Sequence, residues 1–154
     1  MSQSFASPHA PTLKPNRLRG VHHIALHVKD MARSRHFYGQ ILGLHELTGA
    51  EVPETLKQAV ADGSVANFKL PDGTILDLFW KPDLHPPDPD PCREFTRAGH
   101  LAFDIAPDYF EEAIAVLSAH QVPIDHGPVS RPTGRGIYFY DPDGFLVEIR
   151  CDPI

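Results

Sequence analysis

The length, composition and charge of the chain indicate one globular unit and exclude several classes of partner. It has 154 residues, of which 42% are hydrophobic and 22% charged, and these values are ordinary for a soluble protein. A net charge of −6 without a basic stripe argues against nucleic-acid binding, the apolar runs are too short to cross a membrane, and two cysteines without an apolar leader indicate the cytoplasm.

The first half of the chain predicts a β-α-β-β-β series after a flexible polar tail over residues 1–17. Asp30 is expected to cap the helix and Gly43 to end it, and the turn "PDG" joins the last two strands. The expected elements are a strand over 19–28, a helix over 31–42, and strands over 44–52, 64–70 and 74–80. This first module spans residues 18–82, and a proline-rich linker follows over 83–98.

The second half predicts the same series again over residues 99–154. Its helix carries a proline near the start and an apolar stripe, and the turn "DPDG" precedes its last strand. The expected elements are a strand over 99–105, a helix over 107–120, and strands over 122–125, 134–140 and 145–150. The two modules together form one domain over residues 18–154.

An internal repeat relates the two halves. The segment "HIALHVKD" at residue 23 matches "HLAFDIAPD" at 100, and "PDGTILDL" at 71 matches "PDGFLVEI" at 142. The first match superposes His23 on His100, and the second superposes Asp77 on Glu148. One β-α-β-β-β unit cannot bury its sheet face alone, so we expect the two copies to pair around a pseudo-twofold axis.

Strand alternation places the repeated residues on polar faces that this pairing would bring together. In the first strand His23 and His27 share the face opposite to the apolar one. Two imidazoles and one or two carboxylates suit iron, manganese, nickel, cobalt or zinc. The alternative is that the two turns are simply good hairpins and that Glu148 is an exposed carboxylate on a strand.

Three segments resemble the vicinal oxygen chelate superfamily, which includes glyoxalase I, bleomycin and fosfomycin resistance proteins and type I extradiol dioxygenases. They are "HHIALHVKDMARSRHFYGQILGL", "GHLAFDI" and "GIYFYDPDGFLVEI". The resemblance implies an α+β fold in which two tandem βαβββ modules form a cupped mixed sheet around a metal site, with the helices outside. It also implies a homodimer that acts on a small molecule.

The resemblance also implies roles for particular residues. His23, His100 and Glu148 match the ligands of one divalent metal ion, which would be iron, zinc, nickel or manganese. Asp77 stands where glyoxalase I has a ligating glutamate, but its side chain is one methylene shorter. Tyr138 lies ten residues before Glu148, as does the tyrosine beside the substrate of extradiol dioxygenases.

Further residues are candidates for the substrate side of this site. His27 and Tyr138 are candidates for acid–base chemistry or substrate contact, and the alternative for each is a residue of the cavity wall. Arg131 and Arg135 are candidates for binding an anionic group. Ala25 replaces the threonine of fosfomycin transferases, and His27 replaces an arginine of bacterial glyoxalase I, so neither of those reactions is favoured.

Three hypotheses for the function follow from these residues. The first is a metal-dependent enzyme that binds the vicinal oxygens of a small molecule and acts as a lyase, an isomerase or a ring-cleaving dioxygenase. The second is a metal-free binding protein of the bleomycin-resistance kind, which holds a small molecule in a dimer cleft. The third is a structural or regulatory module with a vestigial site. The retained His23, His100 and Glu148 favour the first.

Overall fold

The computed structural model, which describes residues 17, 21–85 and 99–153, contains two four-stranded mixed sheets. The first sheet has the order β1-β4-β3-β2, and its strands are β1 (His23–Val28), β2 (His45–Glu46), β3 (Val65–Lys69) and β4 (Ile75–Trp80). The second has the order β5-β8-β7-β6, and its strands are β5 (His100–Asp104), β6 (Ile124–Arg131), β7 (Gly134–Tyr140) and β8 (Leu146–Cys151).

The pairing pattern of the first sheet recurs in the second. In each sheet the first strand pairs in parallel with the last, and the other neighbours are antiparallel. This confirms the α+β fold of two tandem modules that the internal repeat predicts. The exact module boundaries stay predictions, and the expected tail and most of the linker lie outside the described residues.

Both predicted helices are present. Helix α1 (Met31–Arg35) begins at Asp30, whose carboxylate accepts a hydrogen bond from the Arg33 N–H at 3.0 Å, and continues as a π-helix over His36–Ile41. A Cβ added at Gly39 in that π-helix would lie 3.2 Å from the Phe68 ring, so glycine lets the helix approach the sheet closely. Helix α3 (Phe110–Ala119) follows a 3₁₀ turn at Pro107–Tyr109.

The segment between β2 and β3 differs from the expectation. The strand expected over 44–52 has only two residues, and a short helix α2 (Lys57–Ala61) follows two 3₁₀ turns at Gly49–Glu51 and Glu54–Leu56. Thr48 and Glu51 form a capping box in which the Thr48 N–H donates to the Glu51 carboxylate at 3.2 Å. This local bonding ends the strand early.

Strand β6 also differs, because it begins at Ile124 and extends to Arg131, six residues beyond the expected end. Its interior contains Gly127 and Pro128, a pair that is more typical of a turn. Proline has no N–H to donate. It is tolerated in β6 because this is the edge strand of its sheet, where N–H groups on the open side form no hydrogen bonds with another strand.

The two modules share one hydrophobic core, to which both sheets and the helices α1 and α3 contribute. The ring of Phe37 in the π-helix lies 6.2 Å from that of Phe139 in β7, and the Tyr38 hydroxyl donates to Asp141 at 2.9 Å. No helix among the described residues is both long and apolar enough to cross a membrane.

Candidate metal and substrate site

The strongest candidate site lies on the polar face of the second sheet, where His100 and Glu148 meet. His100 begins β5 and Glu148 lies in the middle of the adjacent strand β8, opposite Ala102. His100 Nε2 is 3.0 Å from Glu148 Oε2, and the two side chains are 28% and 11% exposed. The pair therefore offers an imidazole and a carboxylate at one partly open place.

Tyr138 forms a wall beside this pair. It is the cross-strand partner of Glu148, and its ring lies 5.8 Å from the His100 ring in an edge-on arrangement. An Arg131 N–H donates to the Tyr138 hydroxyl oxygen at 3.3 Å, and this bond is the main cause that raises the pKa of Arg131. Arg131 thus stays charged next to the phenol.

The first sheet repeats this arrangement with different residues. Asp77 lies opposite Ala25 and beside Asn67, as Glu148 lies opposite Ala102 and beside Tyr138. The register therefore reproduces the match of Asp77 with Glu148.

Asp77 and His23 nevertheless have different neighbours from their counterparts. An Asn67 N–H donates to Asp77 at 2.5 Å, and this bond fixes the orientation of the amide. Among the described residues, the buried Asn67 Oδ1 has no hydrogen-bond partner, so it can accept from a water or a ligand group. His23 is exposed, and its Nδ1 lies 2.9 Å from Nδ1 of His22.

A single chain does not bring all four predicted ligands together. Over residues 17, 21–85 and 99–153, no group of three His, Cys, Asp or Glu side chains is arranged to hold a metal ion. His100 and Glu148 form a pair, whereas His23 and Asp77 lie on the other sheet. The assignment of these residues as metal ligands stays a prediction.

The chemistry of the His100–Glu148 pair nevertheless fits a metal ion, and Gly136 leaves room for the carboxylate. Imidazole and carboxylate suit iron, manganese, nickel and zinc. A Cβ added at Gly136 would lie 2.8 Å from Glu148 Oε1, so the carboxylate occupies a space that only glycine leaves free at that position.

His27 and Arg135 lie apart from the His100–Glu148 pair. His27 is exposed on β1, where it is paired with Phe79 of β4. Arg135 forms an ion pair with Glu111 at 2.7 Å and lies 4.5 Å above the ring of Phe110, on the helix side of the second sheet. Because it is engaged on the face opposite to Tyr138, we leave Arg135 out of the proposed site.

The sequence did not identify as site residues His126, which stacks on Tyr138, and Asp125, which contacts His126. The ring of His126 stacks on the Tyr138 ring at 4.1 Å with an angle of 10° between the planes, and Asp125 Oδ2 lies 2.5 Å from His126 Nδ1. The only sequence feature that pointed to this pair was the adjacency of Asp125 and His126. The strand was expected to end at residue 125, so His126 was not assigned to it. Its continuation into β6 is what pairs His126 with Tyr138.

Solved structures with a similar fold include the following two. A glyoxalase/dioxygenase from Nostoc punctiforme is 63% identical, with a TM-score of 0.87, and the match covers 94% of this chain and 99% of that one. The fosfomycin resistance protein FosX from Listeria monocytogenes is 24% identical, with a TM-score of 0.63 and coverage of 89% and 96%, and it shares the fold.

Sequence comparison identifies the family. An uncharacterized protein of Escherichia coli strain K12, YaeR, is 31% identical over 133 residues, which are 86% of this chain and 95% of YaeR. The model of the Glyoxalase/Bleomycin resistance protein/Dioxygenase superfamily matches residues 20–149. The chain therefore belongs to the glyoxalase/bleomycin resistance protein/dioxygenase superfamily.

Proposed function

We propose that the chain is a metal-dependent enzyme that holds one divalent metal ion through His23, His100 and Glu148 and acts on a small molecule with two vicinal oxygens. The observation that carries the proposal is the convergence of His100 and Glu148 beside Tyr138 on one face of a sheet. When bound, the metal would supply Lewis-acid chemistry to the two adjacent oxygens of the substrate. The reaction class is that of a lyase, an isomerase or a ring-cleaving dioxygenase.

Tyr138 and Arg131 would bind and orient the substrate. Since an Arg131 N–H donates to the Tyr138 oxygen at 3.3 Å, the phenol can donate its own hydrogen to a substrate oxygen. The charge of Arg131 favours a substrate that carries or develops negative charge there. His27, exposed on β1, remains a candidate for contact with a substrate held between two modules.

We further propose that a second copy of the chain completes the ligand set. In the described part of the chain, β1 and β5 each have one strand partner, so each leaves an open edge. His23 begins one of these strands and His100 begins the other. A homodimer that brings β1 of one chain near β5 of the other would unite them.

The surface along β5 supports such an interface. A cleft of about 770 Å³ lies beside this strand, and its lining includes none of the four predicted ligands. Much of the lining is apolar, with contributions from both modules that include Leu44, Leu70, Phe103 and Val116. Apolar surface of this kind is more typical of an interface than of a solvated edge.

Metal content tests the enzyme proposal directly. Untagged protein purified without oxygen is analysed by inductively coupled plasma mass spectrometry, together with Glu148→Ala and the control Glu54→Ala, which alters an exposed residue outside the cleft beside β5. We expect about one equivalent of metal per chain in the wild type and the control and little in Glu148→Ala. A wild type without metal after reconstitution with iron, zinc, nickel and manganese would refute the proposal.

A metal-free binding protein is the second candidate function. It is favoured by the finding that, within the described residues of one chain, only His100 and Glu148 of the predicted ligands meet. Sedimentation with and without EDTA separates the two candidates. A dimer that forms only with metal supports the enzyme, whereas an unchanged dimer that binds small molecules after EDTA treatment supports the binding protein.

A further inference from the structure

We infer that His126 is a proton-transfer residue of this site and that Asp125 positions it, an inference that rests on the proposed function. The His126 ring stacks on Tyr138 with its centroid at 4.1 Å and its plane tilted by 10°. Tyr138 in turn lies against His100 and beside Glu148. His126 is therefore one aromatic layer away from the predicted metal ligands.

Asp125 fixes the protonation pattern of the His126 ring. Its side chain is only 6% exposed, and its Oδ1 accepts a hydrogen bond from the Tyr140 hydroxyl at 2.5 Å. Its Oδ2 lies 2.5 Å from His126 Nδ1. An ionised carboxylate can only accept, so Nδ1 of a neutral His126 carries the hydrogen and Nε2 keeps its lone pair.

The strand is deformed where it carries His126. The pairing of β6 with β7 shifts register both between Ile124 and His126 and between His126 and Val129. Gly127, the residue after His126, has φ +106, and a Cβ there would lie 3.0 Å from the Gly136 carbonyl oxygen. This position therefore requires glycine. Such irregularities reorient side chains and are frequent next to active sites.

These features together give His126 the properties of a general base. Its side chain is 43% exposed and its Nδ1 is bonded to Asp125, so Nε2 is the ring nitrogen left to accept a proton. The groups that face the ring are Asp125, Tyr138 and the nearby Arg131, with Tyr140 behind Asp125. The contact of Asp125 with Nδ1 holds the orientation of the ring, as a carboxylate does for other functional histidines.

The proposed step is a proton transfer that needs no further reactant. The O–H bond of a substrate hydroxyl breaks, its electron pair stays on the oxygen, and an N–H bond forms at His126 Nε2. The resulting imidazolium then returns the proton to the product. The inference thereby specifies the substrate class as molecules in which at least one of the two vicinal oxygens is a hydroxyl.

The test uses 4-nitrocatechol, whose two vicinal hydroxyls change colour when they ionise. The metal-loaded full chain is compared with His126→Gln, with Asp125→Asn and with the control His120→Gln, which alters an exposed histidine at the end of α3. Metal content is measured in each sample. Absorbance titration then gives the pH at which the bound probe ionises.

We expect the ionisation midpoint of the bound probe to rise by about one pH unit in His126→Gln, a tenfold change in proton affinity, and to rise less in Asp125→Asn. His120→Gln should match the wild type, and all four samples should carry metal. Equal midpoints in metal-loaded wild type and His126→Gln would overturn the inference alone. Absence of metal from the wild type would overturn the proposed function and the inference with it.

A second measurement needs neither metal nor probe. Nitrogen-15 spectra of the ring distinguish the two neutral forms of His126. We expect the form with hydrogen on Nδ1 in the wild type and a mixture in Asp125→Asn. If the wild-type ring carries its hydrogen on Nε2, that nitrogen has no lone pair to accept a substrate proton, and the inference is overturned. In the titration described above, metal-loaded protein that does not bind 4-nitrocatechol would also overturn it.

Discussion

Asp141 joins the two modules through a buried hydrogen-bond network. It follows β7 and is 5% exposed, and its carboxylate accepts hydrogen bonds from the Tyr38 hydroxyl at 2.9 Å and from the N–H groups of Asp143 and Phe145 at 2.9 and 2.8 Å. Burial raises the pKa of Asp141, and the three hydrogen bonds oppose that shift. Burial is the largest cause that raises the pKa of Tyr38, and the charge of Asp141 is the second. The phenol therefore remains a donor.

The raised pKa of Asp141 predicts how stability depends on pH. Between its unfolded pKa, about 3.9, and its higher folded pKa, the folded state binds more protons than the unfolded state. The contribution of Asp141 to the free energy of unfolding therefore falls as pH rises through this window. Asp141→Asn cannot titrate, so we expect the difference, wild type minus variant, to increase as pH is lowered from 7 to 4.

Urea unfolding at several pH values measures this difference. Asparagine can keep two of the three bonds, because its oxygen can accept from both N–H groups. Its amide can only donate to the Tyr38 oxygen, which leaves the buried Tyr38 hydrogen without its acceptor. The variant should thus be about 1–3 kcal/mol less stable than wild type at pH 7. A difference that stays constant across the range would show that the folded pKa of Asp141 is ordinary.

Side-chain parity explains which site residues could be predicted. His100 and Glu148 follow from strand alternation and the internal repeat, Tyr138 follows from the family resemblance, and the structure brings these three together. Arg135 is three residues from Tyr138, an odd separation that puts the two on opposite faces of β7. His126 could not be placed because the register shifts in β6 have no signature in the sequence beyond Gly127.

At the scale of elements, the close contact between β7 and β8 shapes the site. Gly136 of β7 leaves the space that the Glu148 carboxylate occupies, since a Cβ there would lie 2.8 Å from Oε1. The atom in the way is the end of a flexible side chain, which can turn aside. A methyl group at this position would thus move a predicted ligand without breaking the strand pairing.

Gly136→Ala is expected to weaken metal binding while the fold persists. We expect metal affinity to fall by about 10- to 100-fold and the free energy of unfolding to change by about 1 kcal/mol or less. Metal titration and urea unfolding measure the two effects. The control is Gly99→Ala, next to His100, where an added Cβ meets nothing within 4 Å. Unchanged affinity in Gly136→Ala would argue against Glu148 as a ligand.

Helix α2 shows the limit of prediction at this scale. The sequence predicted the regular strands β1, β3, β4, β5, β7 and β8 because each alternates or lies beside a clear turn. The segment that holds α2 has only five helical residues after two 3₁₀ turns, too short for a periodic pattern. Its conformation depends on local caps such as Thr48 and on packing against β3.

At the scale of the whole molecule, one core stabilises both modules. Val28, Phe37 and Leu78 come from the first module and Phe139 and Val147 from the second, and all are buried in the same cluster. The Lys29 N–H also donates to Asp143 across the boundary, at 3.1 Å. The sequence argument that one module cannot bury its sheet face alone is consistent with this shared core.

A shared core predicts that the two modules unfold together. The single tryptophan, Trp80, lies in β4 and reports on the first module, whereas Phe139 lies in β7. Because Phe139 is completely buried and its ring faces Phe37 at 6.2 Å, Phe139→Leu should lower the stability of the whole chain by roughly 1–2 kcal/mol. The Trp80 fluorescence transition in urea should then shift as much as the circular dichroism transition.

The matched control is Tyr109→Leu, the same type of change at a side chain of the second module that is 57% exposed, and it should shift neither transition by much. All samples are compared at one protein concentration, because association would stabilise the folded state. If Phe139→Leu shifted the circular dichroism transition and left the Trp80 transition in place, the modules would unfold separately. A core that couples two sheets transmits the loss of one buried side chain to both of them. Separate unfolding would therefore mean that the contacts of Phe37 with Phe139 and of Tyr38 with Asp141 contribute little to stability.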